Sequence, residues 1–171
     1  MGNFSHYEEA SIWRLRAGPL ARMLGKVFLA SRTQRKDQMR KMRILLADDH
    51  PAMRDFVEAL LQPTFDTVGS VPNGEALVEA ARRLQPDIII TDISMPILSG
   101  IEAARKLKHS GSRAKVIFLT VHADSDFVRL CLEAGASGYV VKARMDTDLL
   151  PAIHEALAGR CFVSPIDQQK N

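Results

Sequence analysis

Pro86-Asp-Ile-Ile-Ile-Thr-Asp-Ile-Ser-Met-Pro96 settles the architecture of this chain. Three consecutive isoleucines and a threonine offer no polar face to water. They read as a strand covered on both sides, the kind that sits at the centre of a parallel sheet. Asp92 follows that strand at once, and Met95-Pro96 keeps the chain from entering a helix directly.

On either side of this strand, four more short runs rich in branched residues read as strands: Arg43–Ala47, Thr67–Val71, Lys115–Val121 and Gly138–Val141, alongside Asp87–Thr91. Between and after them, Ala52–Gln62, Gly74–Leu84, Ile101–His109, Asp124–Ala134 and Thr147–Ala158 space apolar residues three and four apart, as helices with one buried stripe do. Asn73-Gly74, Gln85-Pro86, Ser110-Gly111-Ser112 and Ala134-Gly135 punctuate the changes. Alternation of this kind predicts an α/β fold, a doubly wound five-stranded parallel sheet built from five β-α units. The domain is expected over 42–164, with a basic extension at 1–41 and a polar tail at 165–171.

Apolar residues form 46% of the chain and charged ones 25%, enough hydrophobic surface to offset the entropy of ordering one domain. The longest apolar runs fall far short of the roughly 20 residues that cross a bilayer. Cys131 and Cys161 show no metal or disulfide spacing, which fits a reducing cytoplasm. The net charge of +3 is unevenly spread: residues 1–41 carry nine basic and three acidic side chains, so the domain itself is acidic. An acidic domain gives no case for direct nucleic-acid binding.

In an open parallel sheet, ligands meet the carboxyl ends of the strands near the point where strand order reverses. Asp48 and Asp49 end the first strand, Asp92 the third, Thr120 the fourth and Lys142 the fifth. Three carboxylates brought together repel unless a proton or cation lies between them. Mg²⁺ suits such a site, because it takes one or two carboxylates and shares phosphate oxygens. Asp92 is then placed as a nucleophile towards phosphorus, with Lys142 as its ion-pair partner and Thr120 offering a hydroxyl. Any one of these residues alone reads more simply as a cap or turn former.

Ile44-Leu-Leu-Ala-Asp-Asp-His-Pro51, Pro86–Pro96 with Ser99-Gly-Ile-Glu-Ala103, Val116-Ile-Phe-Leu-Thr-Val-His122, and Glu133-Ala-Gly-Ala-Ser-Gly-Tyr-Val-Val-Lys142 together resemble the response-regulator receiver family, particularly its NarL/FixJ type. The resemblance implies a flavodoxin-like, CheY-like fold and a phosphoryl group accepted on Asp92 from a histidine kinase with Mg²⁺ as cofactor. It implies that Asp48, Asp49, Asp92 and the Ser94 backbone carbonyl hold the metal, with Asp49 the more direct acidic ligand. Thr120 becomes the switch hydroxyl, Tyr139 the aromatic that turns inward when Thr120 moves, and Ser94 and His122 the residues that tune phosphate lifetime. For Tyr139 an ordinary half-buried strand aromatic is the competing reading. Two departures from the family pattern stand out. Ala143-Arg144 follows Lys142 where many relatives carry Pro or a small acidic run, and Ser99 replaces an acidic residue, an exchange expected to have no chemical consequence.

The expected function is a switch that catalyses only its own phosphorylation and dephosphorylation and acts on a downstream protein or through a homodimer. The alternatives are a receiver fragment of a LuxR/NarL-type transcriptional regulator and an interaction module that never uses the phosphate. A hydrolytic phosphatase is disfavoured, because that class places a second acid two residues after its nucleophile and here the position is Ser94. The leader reads as a mis-assigned start upstream of Met42, or, less favourably, as a basic amphipathic helix over Ile12 to Ala30 that contacts a membrane or a partner.

Overall fold

The computed structural model describes residues 40–166, so the expectations for residues 1–39 and 167–171 lie outside the described residues. The elements run β1 (Arg43–Ala47), α1 (Pro51–Leu61), β2 (Asp66–Val71), α2 (Gly74–Leu84), β3 (Ile88–Thr91), α3 (Gly100–His109), β4 (Lys115–Thr120), α4 (Ser125–Glu133), β5 (Gly138–Val141), a 3₁₀ turn (Lys142–Arg144), α5 (Met145–Leu157) and β6 (Phe162–Val163). All pairings are parallel, in the order β2-β1-β3-β4-β5-β6. The reversal of direction between β1 and β3 puts the switch point beside Asp48, Asp49 and Asp92.

The sheet has six strands where five were expected. β6 is only two residues long and pairs with the edge of β5 through Gly138↔Phe162 and Tyr139↔Val163. So short a strand carries no alternation of its own, and its existence depends on a pairing partner distant in sequence. This segment lies inside the expected domain limit at 164, with the Ser164 N–H donating to the Tyr139 carbonyl at 2.8 Å. Several element limits shift by one or two residues as well. β4 ends at Thr120, leaving Val121 exposed, and α5 begins at Met145, directly after the 3₁₀ turn.

Alternate residues of the inner strands feed two cores. Leu45, Ala47, Ile89 and Phe118 pack with Leu77, Ala103, Leu107 and Cys131 of α2, α3 and α4. Ile44, Leu46, Ile88, Ile90, Ile117 and Leu119 pack with Val57 and Leu61 of α1 and Leu149 and Ile153 of α5. Burying each such side chain contributes about 1.5–3 kcal/mol, which is why the three isoleucines of β3 form the centre of the molecule. Among the described residues no helix is long and apolar enough to cross a membrane.

Candidate functional site

β3 hands over to the site under tight backbone control. The Asp92 N–H donates to the Ala47 carbonyl at 2.8 Å, tying the end of β3 to the end of β1. The Thr91 hydroxyl donates to the Asp92 carbonyl at 2.9 Å, and the Gly100 N–H donates to the Ile93 carbonyl at 2.9 Å. Gly100 allows this closure, because a Cβ there would stand 1.9 Å from the Asp92 carbonyl oxygen. Gly74, at the start of α2, is required for the same reason, since a Cβ there would meet the Leu98 carbonyl oxygen at 2.3 Å. The loop after β3 is thus clamped between the N-termini of α2 and α3.

Ser99 has a consequence that the sequence reading did not assign to it. It is the N-cap of α3, its hydroxyl accepting from the Glu102 N–H at 3.3 Å while Glu102 reaches back to the Ser99 N–H at 3.1 Å, a reciprocal capping box. Those hydrogen bonds hold the Glu102 carboxyl below its usual range.

The carboxylates and the ammonium meet as the strand ends required. Lys142 Nζ lies 2.7 Å from Asp92 Oδ2 and 2.6 Å from Asp48 Oδ2, with both carboxylate side chains under a tenth exposed. Burial works against the ammonium, but hydrogen bonds to Asp48 and Asp92 and the charge of both outweigh it, so the Lys142 pKa is raised above the ordinary lysine value. Asp92 Oδ1 accepts from the Ile93 N–H at 2.6 Å and, more weakly, from the Ser94 N–H at 3.4 Å. Asp48 Oδ1 accepts from the His50 N–H at 2.9 Å.

Asp49 stands differently. His50 Nδ1 is 2.7 Å from Asp49 Oδ1, yet that buried oxygen accepts no hydrogen bond, so the imidazole supplies proximity without an aligned donor. Asp48, Asp49 and His50 each offer a ligand atom, all within 4.8 Å of one another. A buried carboxylate oxygen left without a donor, in an oxygen-rich cluster whose negative charges outnumber its one ammonium, fits a hard divalent cation. His50 was not singled out from sequence; its signal was its place directly after two strand-end acids.

Thr120 is fully buried, and its Oγ1 accepts from the His122 N–H at 3.3 Å. Tyr139 is not a half-buried strand aromatic: it is fully buried, and its hydroxyl donates to the His122 carbonyl at 2.9 Å. The ring has an apolar bed and the hydroxyl a carbonyl partner, which together hold Tyr139 inward. Burial pushes the Tyr139 hydroxyl pKa upward. Ser94 Oγ and His122 Nε2 lie 3.0 Å apart, so the two residues paired in the sequence reading do touch.

A cluster that the sequence reading missed lies behind Lys142. Asp148, buried, accepts from Arg144 Nε at 2.9 Å, from the Thr147 hydroxyl at 2.8 Å and from the Ser164 hydroxyl at 2.7 Å. Ser164 Oγ in turn accepts from the Val141 N–H at 3.2 Å, immediately before Lys142.

Residues 44–154 match the sequence profile of the response regulator receiver domain. The chain is 37% identical over 123 residues to the nitrate/nitrite response regulator protein NarL of Escherichia coli, covering 71% of this chain and 57% of that protein. Response regulator GacA of Pseudomonas viridiflava is 35% identical over 126 residues, covering 72% and 59%. The chain thus spans under three-fifths of the length of these curated relatives. Among solved structures, a LuxR-family two-component response regulator from an Aurantimonas species superposes with a TM-score of 0.70 at 35% identity, over 73% of this chain and 91% of that one. The signal receiver domain of a NarL response regulator from Mycobacterium tuberculosis gives 0.67 at 27% identity, over 71% and 99%.

Proposed function

Because this chain belongs to the response regulator receiver domain family, we propose that it works as a two-component switch in which Asp92 accepts a phosphoryl group from a sensor histidine kinase or phosphotransfer protein. The observation that carries this reading is the shared ammonium: one half-buried Lys142 holds the buried Asp92 and Asp48 together beside an Asp49 oxygen that lacks a donor. Asp48, Asp49 and Asp92, with the Ser94 backbone carbonyl, are the groups that would hold Mg²⁺. When bound, the ion supplies positive charge to the carboxylates and to the oxygens of the transferring group.

The chain's own residues then do the following. Backbone N–H groups and Lys142 hold the Asp92 carboxylate at the strand end, so an oxygen can form the O–P bond as the P–N bond of a phosphohistidine breaks, the imidazole keeping the electron pair. Lys142 passes from the carboxylate to a phosphoryl oxygen. Thr120 turns its hydroxyl to another, giving up the His122 N–H. These new contacts favour one of two conformations of the α4-β5-α5 side, where a downstream protein or a second copy docks. The chain catalyses only its own phosphorylation and its reversal, and Ser94 at the position where a phosphatase keeps its second acid supports that limit. The free thiols of Cys131 and Cys161 accord with a cytoplasmic setting.

The test is incubation with acetyl phosphate and Mg²⁺ followed by intact-mass measurement. One labile phosphoryl group on the wild type and none on Asp92→Asn is the expected result. Sustained release of inorganic phosphate in excess of protein would mark a phosphatase, and no adduct on the wild type would mark an inert module.

A further inference from the structure

The imidazole of His122 lies flat on the ring of Phe127, with centroids 3.9 Å apart and planes 16° from parallel. We propose that Phe127 is a positioning residue that, by stacking on His122, holds Nε2 against Ser94 and so sets the lifetime of a phosphoryl group on Asp92. The proposal deepens the reading of Asp92 as the acceptor and rests on it.

His122 is held at four points of two kinds. Its backbone N–H donates to Thr120 Oγ1 and its carbonyl accepts from the Tyr139 hydroxyl. Both contacts fix the main chain and leave the side-chain torsions free. Among the described residues, the ring itself is oriented by Ser94 Oγ, 3.0 Å from Nε2, and by Phe127. Ser94 is exposed, so its single hydrogen bond competes with water, whereas an apolar stack does not. Phe127 is itself anchored: it lies in the first turn of α4, and its N–H donates to the Asp124 N-cap at 3.1 Å.

The chain of contact runs from α4 to the reacting carboxylate. Phe127 orients the His122 ring, the ring engages the Ser94 hydroxyl, and the Ser94 N–H lies 3.4 Å from Asp92 Oδ1. The path thus ends on the oxygen-bearing carboxylate of Asp92, so its side chains border the place a phosphoryl group would take. The same backbone contact at Thr120 makes the arrangement sensitive to state, because a Thr120 hydroxyl drawn to a phosphoryl oxygen releases the His122 N–H. A purely structural Phe127, packed on the core edge, affects stability and leaves the lifetime alone.

The experiment loads wild type, Phe127→Ala, Phe127→Leu, Phe127→Tyr, His122→Ala and the Phe127→Ala/His122→Ala double variant with acetyl phosphate and Mg²⁺, removes the donor and follows phosphoryl loss by intact mass. Phe127→Ala is expected to change the decay rate by about two- to tenfold, the range an aromatic pair supports, in the same direction as His122→Ala. Phe127→Tyr restores the wild-type rate. Phe127→Leu, which keeps apolar bulk without a π face, behaves as Phe127→Ala and covers the case in which alanine unfolds the chain. In the double variant the Phe127 substitution adds nothing to His122→Ala. In unphosphorylated protein, the His122 ring-proton resonances move downfield when the stacked ring is removed.

A wild-type decay rate in both Phe127→Ala and Phe127→Leu overturns the proposal alone. So does a Phe127 effect of full size on the His122→Ala background. A wild type that takes no phosphoryl group overturns the acceptor reading and this proposal with it.

Discussion

Replacing Lys142 with Met keeps an unbranched apolar stem one heavy atom shorter and removes the ammonium, its charge and its hydrogen-bond donors together. Two carboxylates, 2.6 and 2.7 Å from the ammonium and nearly excluded from water, then face each other uncompensated. At an effective dielectric of about 20, each contact carries roughly 6 kcal/mol of gross attraction, most of it offset by desolvation and by repulsion between the two acids. Removing one member of a buried ion cluster costs about 3–5 kcal/mol, so Lys142→Met should lose about that much in chelator-treated buffer. For a domain of this size that is a fall in Tm on the order of 10–15 °C. Asp92→Asn alone leaves the Lys142–Asp48 pair and removes the repulsion, so its stability stays within about 1 kcal/mol of wild type. The double variant should recover at least half of the Lys142→Met loss, and added Mg²⁺ should recover part of it as well. Urea unfolding of the four proteins measures the coupling directly. If the two substitutions add to within about 0.5 kcal/mol, the three groups are not one electrostatic unit and the reasoning fails.

Gly100→Ala puts a methyl 1.9 Å from the Asp92 carbonyl, a backbone atom that cannot rotate away, so it costs at least the upper part of the about 1–3 kcal/mol range for overpacking and shifts amide resonances at Asp92 and Ile93. Ser99→Ala breaks the capping box and lowers stability by about 1 kcal/mol in thermal unfolding. Mg²⁺ should stabilise the wild type by about 2.7 kcal/mol at a hundred times its Kd, read as a raised unfolding midpoint, and Asp49→Asn should abolish that increase; an unchanged response excludes Asp49 as a ligand. Burial raises the Asp148 carboxyl pKa, but hydrogen bonds from Ser164, Arg144 and Thr147 outweigh it and hold the value below the usual range. A depressed folded value gives stability that is present above the ordinary aspartate pKa of about 3.9 and lost as pH falls through the folded one. Asp148→Asn should therefore flatten the acid limb of stability against pH.

The doubly wound sheet was legible because its inner strands need apolar residues on both faces, and Ile88-Ile-Ile90 can satisfy no other arrangement. The helices were legible because each has one buried stripe, and the start of α2 because Asn73-Gly74 marks it, whereas the caps at Ser99 and Asp124 emerge only in the structure. The acids, the hydroxyl and the lysine were legible as strand-terminal polar residues after apolar runs. What the letters do not carry is pairing at long range. Lys142 lies beyond β4 and β3 from β1, so its contact with Asp48 depends on the register of three ladders. β6 depends on an edge that only the folded sheet provides, and the His122–Phe127 stack on the angle at which α4 leaves its cap.

Lys142 shows how these unread contacts bear on the chemistry. Its side chain must span from β5 to Asp92 and Asp48 at fixed length, so the backbone that carries it must not swing, and Ala143-Arg144 brings no proline to stiffen the turn. The stiffening comes instead from Asp148. Its carboxylate ties Arg144 at the end of the 3₁₀ turn to Ser164 beyond β6, and Ser164 holds the Val141 N–H on the other side of Lys142. The lysine is thereby fixed from both flanks by residues 16 positions apart in sequence. A charge-assisted hydrogen bond contributes about 1.5–3 kcal/mol where a neutral one contributes about 1, so an acid at 148 does here what a neutral side chain would do less well. The sixth strand follows from the same need, because Ser164 can reach Asp148 only if the chain after α5 returns to the edge of β5.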